Sequence, residues 1–153
     1  MNKTMFLGFA AIVWALSLSG VRAEQAMIDV KKTASCGCCI GWIKHLEGAG
    51  YKVRPENLPM SLLTQFKLKH GITSKLASCH TGRVAGYTIE GHVPVREIKR
   101  LLAEKPDAIG LSVPEMPTGS PGMEYGTQRD AYDVLLIKKD GTAEVFAHYT
   151  AKK

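Results

Sequence analysis

The chain has 153 residues, 45% of them hydrophobic, and carries 20 Lys and Arg against 14 Asp and Glu for a net charge of +6 at pH 7. A chain of this length builds one modest core, which argues against several domains. Its basic residues are scattered over helix faces and termini rather than gathered with aromatics, so the mild positive excess excludes a nucleic-acid footprint.

The opening "MNKTMFLGFAAIVWALSLSGVRAEQA" has Lys3 at its start, an apolar run from Met5 to Leu18 and small residues around Val21-Arg22-Ala23, the pattern of a cleaved secretory signal. Residues 1–23 are therefore expected to be removed and the mature protein to begin near Glu24. The run is shorter than the roughly 20 residues a bilayer crossing needs. The mature form is accordingly expected in the periplasm and not embedded in a membrane, with an uncleaved anchor as the other reading. Without Lys3 and Arg22, 18 basic residues face 14 acidic ones and the net charge falls to +4. Residues 24–153 are expected to form one metal-binding domain.

"AMIDVKK" predicts a strand, and "CCIGWIKHLEGAG" a helix with Ile40, Ile43 and Leu46 at helical spacing and Gly48 or Gly50 as its stop. "YKVRPENL" predicts a second short strand. "PMSLLTQFKLKHGI" predicts a second helix, opened by Pro59, with Leu62, Leu63 and Phe66 on one face and Gly71 as its cap. "SCHTGRVAGYTIE" is expected to be extended, as two short strands turning at Gly82-Arg83. "VPVREIKRLLAEKP" predicts a third helix through Val95, Ile98, Leu101 and Leu102 that ends by Pro106. "SVPEMPTGSPGMEYG", rich in proline and glycine, predicts a long irregular loop, and "YDVLLIKKDGTAEVFAHY" a closing hairpin around Asp140-Gly141.

This alternation predicts an α/β fold, a mixed sheet with helices on its faces and a C-terminal hairpin. Cys36 and Cys39 form a Cys-x-x-Cys pair where the first strand hands over to the first helix, the thioredoxin-like placement. The expected fold is a thioredoxin-like sandwich, with a ferredoxin-like α+β arrangement as the alternative.

Three of the four cysteines, Cys36, Cys38 and Cys39, occupy four consecutive positions, and the fourth, Cys79, precedes His80. An exported protein favours disulfides, but a stapling framework spreads its cysteines to clamp distant loops. Crowding points instead to reactivity or metal. At a helix N-terminus the free amides and the dipole favour thiolate, which is both nucleophile and metal ligand. Consecutive Cys38 and Cys39 diverge by about 100° on a helix, so one ion is expected to have trouble collecting all three. Tetrahedral zinc draws on two separated ligand pairs. Copper(I) tolerates two or three ligands and bridging thiolates, and soft sulfur selects it.

His80 is a candidate ligand through its adjacency to Cys79, although a lone histidine is more often simply hydrogen-bonded. Met116 and Met123 bracket "MPTGSPGM" and offer soft thioethers, or else plug the loop onto the domain. His92 is expected to set the turn before the third helix, and Trp42 to pack beside the site. The other reading of the triplet is a buried disulfide with spare thiols.

Together, "CGCCIGW", "SCHTGRVAGYTIEGHVP" and "MPTGSPGM" resemble the blocks of a bacterial periplasmic family of domains of unknown function, called CopG-like after its copper-resistance members and unrelated to the DNA-binding repressor of similar name. The likeness runs from about Ile28 to Tyr149, with three blocks in the same order and no departure within them. It implies a thioredoxin-fold protein encoded alongside copper-handling genes. By this resemblance the family's cysteine motif falls on Cys36, Cys38 and Cys39, its Cys-His block on Cys79 and His80, and its Met-rich loop on Met116 and Met123. The expected function is periplasmic copper(I) binding in copper resistance, with copper ions and other periplasmic copper-handling proteins as partners. The competing expectation is a thiol-disulfide oxidoreductase or copper-redox protein in which Cys36 attacks and Cys39 resolves.

Overall fold

The computed structural model describes residues 26–153. The expected signal segment, residues 1–23, lies outside them. Strand β1 (Ile28–Lys32) leads into α1 (Gly37–Gly48), β2 (Val53–Asn57), α2 (Met60–Lys69), the pair β3 (Thr81–Val84) and β4 (Tyr87–Glu90), then α3 (Val95–Glu104), β5 (Ala108–Ser112), and the closing pair β6 (Tyr132–Lys138) and β7 (Ala143–Tyr149). The seven strands form one mixed sheet in the order β2-β1-β3-β4-β5-β6-β7. The β1–β2 and β4–β5 pairs are parallel, each bridged by a helix as a parallel connection requires. The other neighbours are antiparallel.

Helix α1 buries Cys39, Trp42, Ile43 and Leu46, a stripe at i, i+3, i+4 and i+7. Ile40, expected on that stripe, is 47% exposed; the buried face is rotated toward Cys39, which like Trp42 and Leu46 is completely buried. Along α2 only Leu63 and Lys67 are buried, and Leu62 turns outward. The expected cap is present: Gly71 at positive φ follows α2, with Ile72 N–H donating to Lys67 O (3.0 Å) and Gly71 N–H to Leu68 O (3.1 Å), a Schellman closure. Helix α3 presents Val95, Ile98 and Leu101 inward.

The two faces of the sheet separate cleanly along β6. Val134 and Leu136 join the main core of Ile28, Val30, Trp42, Leu46, Ile89, Ile98 and Leu111, whereas Ile137 joins Ile72 and Leu76 in a smaller cluster. Alternate strand residues point to opposite faces, so both faces of the sheet are covered.

Two expectations need correction. The β3–β4 hairpin turns at Ala85-Gly86, not Gly82-Arg83; both turn residues have positive φ, the requirement of a two-residue hairpin that follows the sheet's twist. Gly82 lies within β3 for a packing reason, since a Cβ there would sit 3.2 Å from the Trp42 ring. Strand β5 was not visible in the sequence: it is five residues long with a glycine at its centre, and a Cβ on Gly110 would lie 1.8 Å from Thr88 O.

Candidate metal centre

The thiols gather where β1 passes into α1. After Lys32 the chain turns through Cys36 N–H donating to Thr33 O (3.2 Å), and Cys36 becomes the N-cap residue of α1 without a side-chain cap. Cys38 and Cys39 lie in the first helical turn. Cys36 and Cys39 share one side of it, with Cα atoms 5.4 Å apart, and are joined as a disulfide. Cys38 is free and its Sγ lies 3.6 Å from Cys36 Sγ.

Cys79 arrives from the sheet. Its sulfur lies 3.7 Å from Cys38 Sγ and 3.6 Å from Cys39 Sγ, so all four sulfurs fall within 4.8 Å of one another. Consecutive Cys38 and Cys39 thus both lie within 3.7 Å of the same remote sulfur. Side chains in the first turn of a helix lean toward its N-terminus, and the remote thiol meets both there.

The β3–β4 register, Thr81 opposite Glu90, continues beyond the strand ends, where Gly91 N–H donates to His80 O (3.1 Å). Cys79 therefore faces His92. Cys79 Sγ is 3.1 Å from His92 Nε2 and 3.2 Å from His80 Nδ1. His92 Nδ1 contacts the Pro121 carbonyl at 2.8 Å; a carbonyl only accepts, so Nδ1 carries the proton and Nε2 keeps its lone pair for Cys79 or for an ion. Burial lowers the His92 pKa and holds this neutral form.

His80 is fully buried against Trp42, with ring centroids 4.3 Å apart. Its pKa is well below the usual value, through burial first and then through His92 and Lys67. Among the described residues its Nε2 has no hydrogen-bond partner. Trp42 packs beside the centre, as expected, and its indole N–H donates to Val93 O (2.8 Å). The Cys79 thiol is pushed up to about 12 by burial and by Cys38 beside it, so in the metal-free protein it is protonated.

The loop that follows β5 closes the outer side. Gly122 packs on α1 at Gly41: a Cβ on Gly41 would lie 2.8 Å from Gly122 Cα, and one on Gly122 would lie 2.5 Å from Trp42 N and 2.8 Å from Cys38 O. Two glycines thus let the loop backbone rest directly on the helix. Met123 follows and lines an open cleft of about 570 Å³ with Gly37, Cys38 and Thr118. Met116 is 49% exposed and does not line that cleft.

Two solved structures, both of a copper resistance protein CopG in different forms, are 44% identical to this chain. They cover 82% and 83% of it and 99% of their own length, with TM-scores of 0.76 and 0.77. This chain belongs to the CopG family. Residues 76–123 also match the family model "Protein of unknown function, DUF411", a span that begins just before Cys79 and ends at Met123. No curated protein matches the chain. Of the expected residues, the CopG-family fold assembles Cys36, Cys38, Cys39, Cys79 and His80 in one place, sets Met123 at the edge of the cleft that Cys38 lines, and leaves Met116 half-exposed.

His92 was missed as a possible ligand. Its signal lay in the hairpin register: with the turn at Ala85-Gly86, residue numbers that sum to 171 face each other, which pairs Cys79 with His92. A turn at Gly82-Arg83 pairs Cys79 with nothing useful.

Among the described residues no helix is long and apolar enough to cross a membrane.

Proposed function

We propose that this chain is a periplasmic copper(I)-binding protein of copper resistance, exported by a signal at residues 1–23 and holding its ion through thiolates of Cys36, Cys38, Cys39 and Cys79. The observation that carries this reading is the gathering of four sulfurs within 4.8 Å of one another. So many soft donors suit copper(I) better than harder ions. His80 and His92 adjoin Cys79 and add neutral nitrogen donors. Met123, which lines the cleft beside Cys38, and Met116 in the same loop are proposed as additional soft thioether donors. The likeness to two structures of a copper resistance protein CopG supports copper as the cargo.

All four thiolates exist only when the Cys36–Cys39 disulfide is reduced: two electrons and two protons open the S–S bond to two thiols, and binding then displaces protons from those still protonated. A thioredoxin-like fold is supported by six of the first seven elements, α2 being the link between the two halves. They comprise a β1-α1-β2 unit and a β3-β4-α3 unit paired through β1 and β3, with Cys-x-x-Cys at the β1–α1 junction.

A second reading is favoured by the Cys36–Cys39 disulfide itself: a periplasmic thiol-disulfide oxidoreductase or copper-redox protein. In thiol exchange Cys36 thiolate would attack a substrate disulfide, and Cys39 would then displace the reduced substrate and close the intramolecular disulfide. Anaerobic copper(I) titration of the reduced protein, with mass spectrometry of the loaded form, separates copper binding from thiol exchange. Copper retained against a chelator, with no copper(I) oxidised on exposure to an oxidant, supports the first reading; oxidation of the bound copper supports the copper-redox form of the second, and a reduced protein that takes up none, yet reduces a disulfide substrate, establishes its thiol-exchange form.

A further inference from the structure

Cys79 reaches the other thiols from a different part of the chain, and the device that fixes its backbone is a buried carboxylate. Glu90, the last residue of β4, is completely buried. Its Oε1 accepts the Ser78 N–H at 2.7 Å, and its Oε2 accepts the Thr81 hydroxyl at 2.6 Å. One side chain thus holds the residues on both sides of the Cys79-His80 dipeptide. Lys67, reaching in from α2, donates to Glu90 Oε1 (2.5 Å) and to Thr81 Oγ1 (3.0 Å), so the hydroxyl accepts from the ammonium and donates to the carboxylate. Every hydrogen bond in the group has a defined direction. Two residues beyond Glu90, the same chain carries His92 to Cys79 Sγ.

A buried ion pair is weak evidence for stability, because desolvating two charges offsets most of their attraction. Placed here, it does something an apolar pair of the same size could not: it provides an acceptor for the Ser78 amide. We propose that Glu90, neutralised and oriented by Lys67, is a positioning residue that fixes the Cys79 sulfur among the α1 thiols. The proposal rests on the copper-binding reading for its purpose, though its geometry can be tested without metal.

Two variants separate positioning from packing. K67M/E90Q removes both charges but keeps an amide oxygen to accept the Ser78 N–H. K67M/E90L removes the acceptor as well. In a C36S/C39S background the Cys38–Cys79 pair, 3.7 Å apart, is equilibrated with a glutathione redox buffer to give the effective concentration of one thiol at the other. The leucine pair should lower this at least tenfold and the glutamine pair by less than threefold. With all four cysteines restored, copper(I) affinity should fall in the same order. Equal values for the two variants, whether both unchanged or both reduced, overturn the proposal. Should the leucine pair fail to fold, T81V, which deletes the hydroxyl's hydrogen bond to Oε2 together with the one it accepts from Lys67, must lower the effective concentration at least threefold, and an unchanged value overturns it. If the thiol assay behaves as expected and the reduced parent protein binds no copper either, the copper reading fails and the positioning role stands.

Discussion

Replacing Cys79 with serine removes the sulfur that belongs to both donor groups of the centre, the four cysteines and the Cys79-His80-His92 set. Serine is nearly isosteric, and the thiol it replaces is only partly buried, so folding stability should change by no more than about 1 kcal/mol. Binding should change far more. The Cys79 sulfur lies 3.6 and 3.7 Å from two helix sulfurs and 3.1 and 3.2 Å from two imidazole nitrogens. Loss of a residue that merely supports a metal ligand costs roughly 10–100-fold in affinity. Losing a ligand held by two elements should meet or exceed the upper end, and 100-fold corresponds to about 2.8 kcal/mol. Met123→Leu, which removes a neutral donor from the rim of an open cleft, should stay within about threefold. The assay is competition of reduced protein against a copper(I) chelator under anaerobic conditions, with circular dichroism as the fold control and bound copper counted by mass spectrometry. Full loading at wild-type affinity in a folded Cys79→Ser protein would refute the reasoning and move the Cys36–Cys39 redox pair into first place.

The raised Cys79 pKa, from an ordinary 9.0 to about 12, means the metal-free thiol must lose a proton on binding, so apparent copper(I) affinity should rise by at least about tenfold per pH unit between pH 6 and 8; a flat profile would exclude Cys79 as a thiolate ligand. By the same shift the metal-free protein keeps its full stability below pH 9 and loses part of it as pH rises toward 12, because the unfolded thiol ionises first; urea midpoints across that range should fall. His92→Asn should weaken copper(I) by roughly 10–100-fold while leaving the fold intact, and unchanged affinity there would remove the imidazole from the site. Gly122→Ala, at φ +86 and 2.5 Å from Trp42 N, should cost about 1–3 kcal/mol by urea titration and loosen the Pro121 carbonyl from His92.

Much of the centre could be read from local sequence, because the forces that place it are local. Cys36, Cys38 and Cys39 fall within one turn of a helix start that is set by a strand ending at Lys32 and by apolar spacing through Ile43 and Leu46, although the buried stripe begins at Cys39 and not at Ile40. The helix after Pro59, its glycine cap and the closing hairpin were legible for the same reason. What the sequence could not supply was register. Moving the β3–β4 turn from Gly82-Arg83 to Ala85-Gly86 decides whether Cys79 meets His92, and Gly82 resembled a turn glycine when its real constraint was the Trp42 ring above it. Strand β5 depends on a glycine that makes room for Thr88 O, a contact between residues distant in the chain. Lys67 is buried because Glu90 lies beneath it, a partner 23 residues further along the chain. Chain-neighbour chemistry determined the three helix thiols; only tertiary structure brought Cys79, His80 and His92 to them, because strand pairing and burial act between residues whose separation along the chain carries no periodic signal.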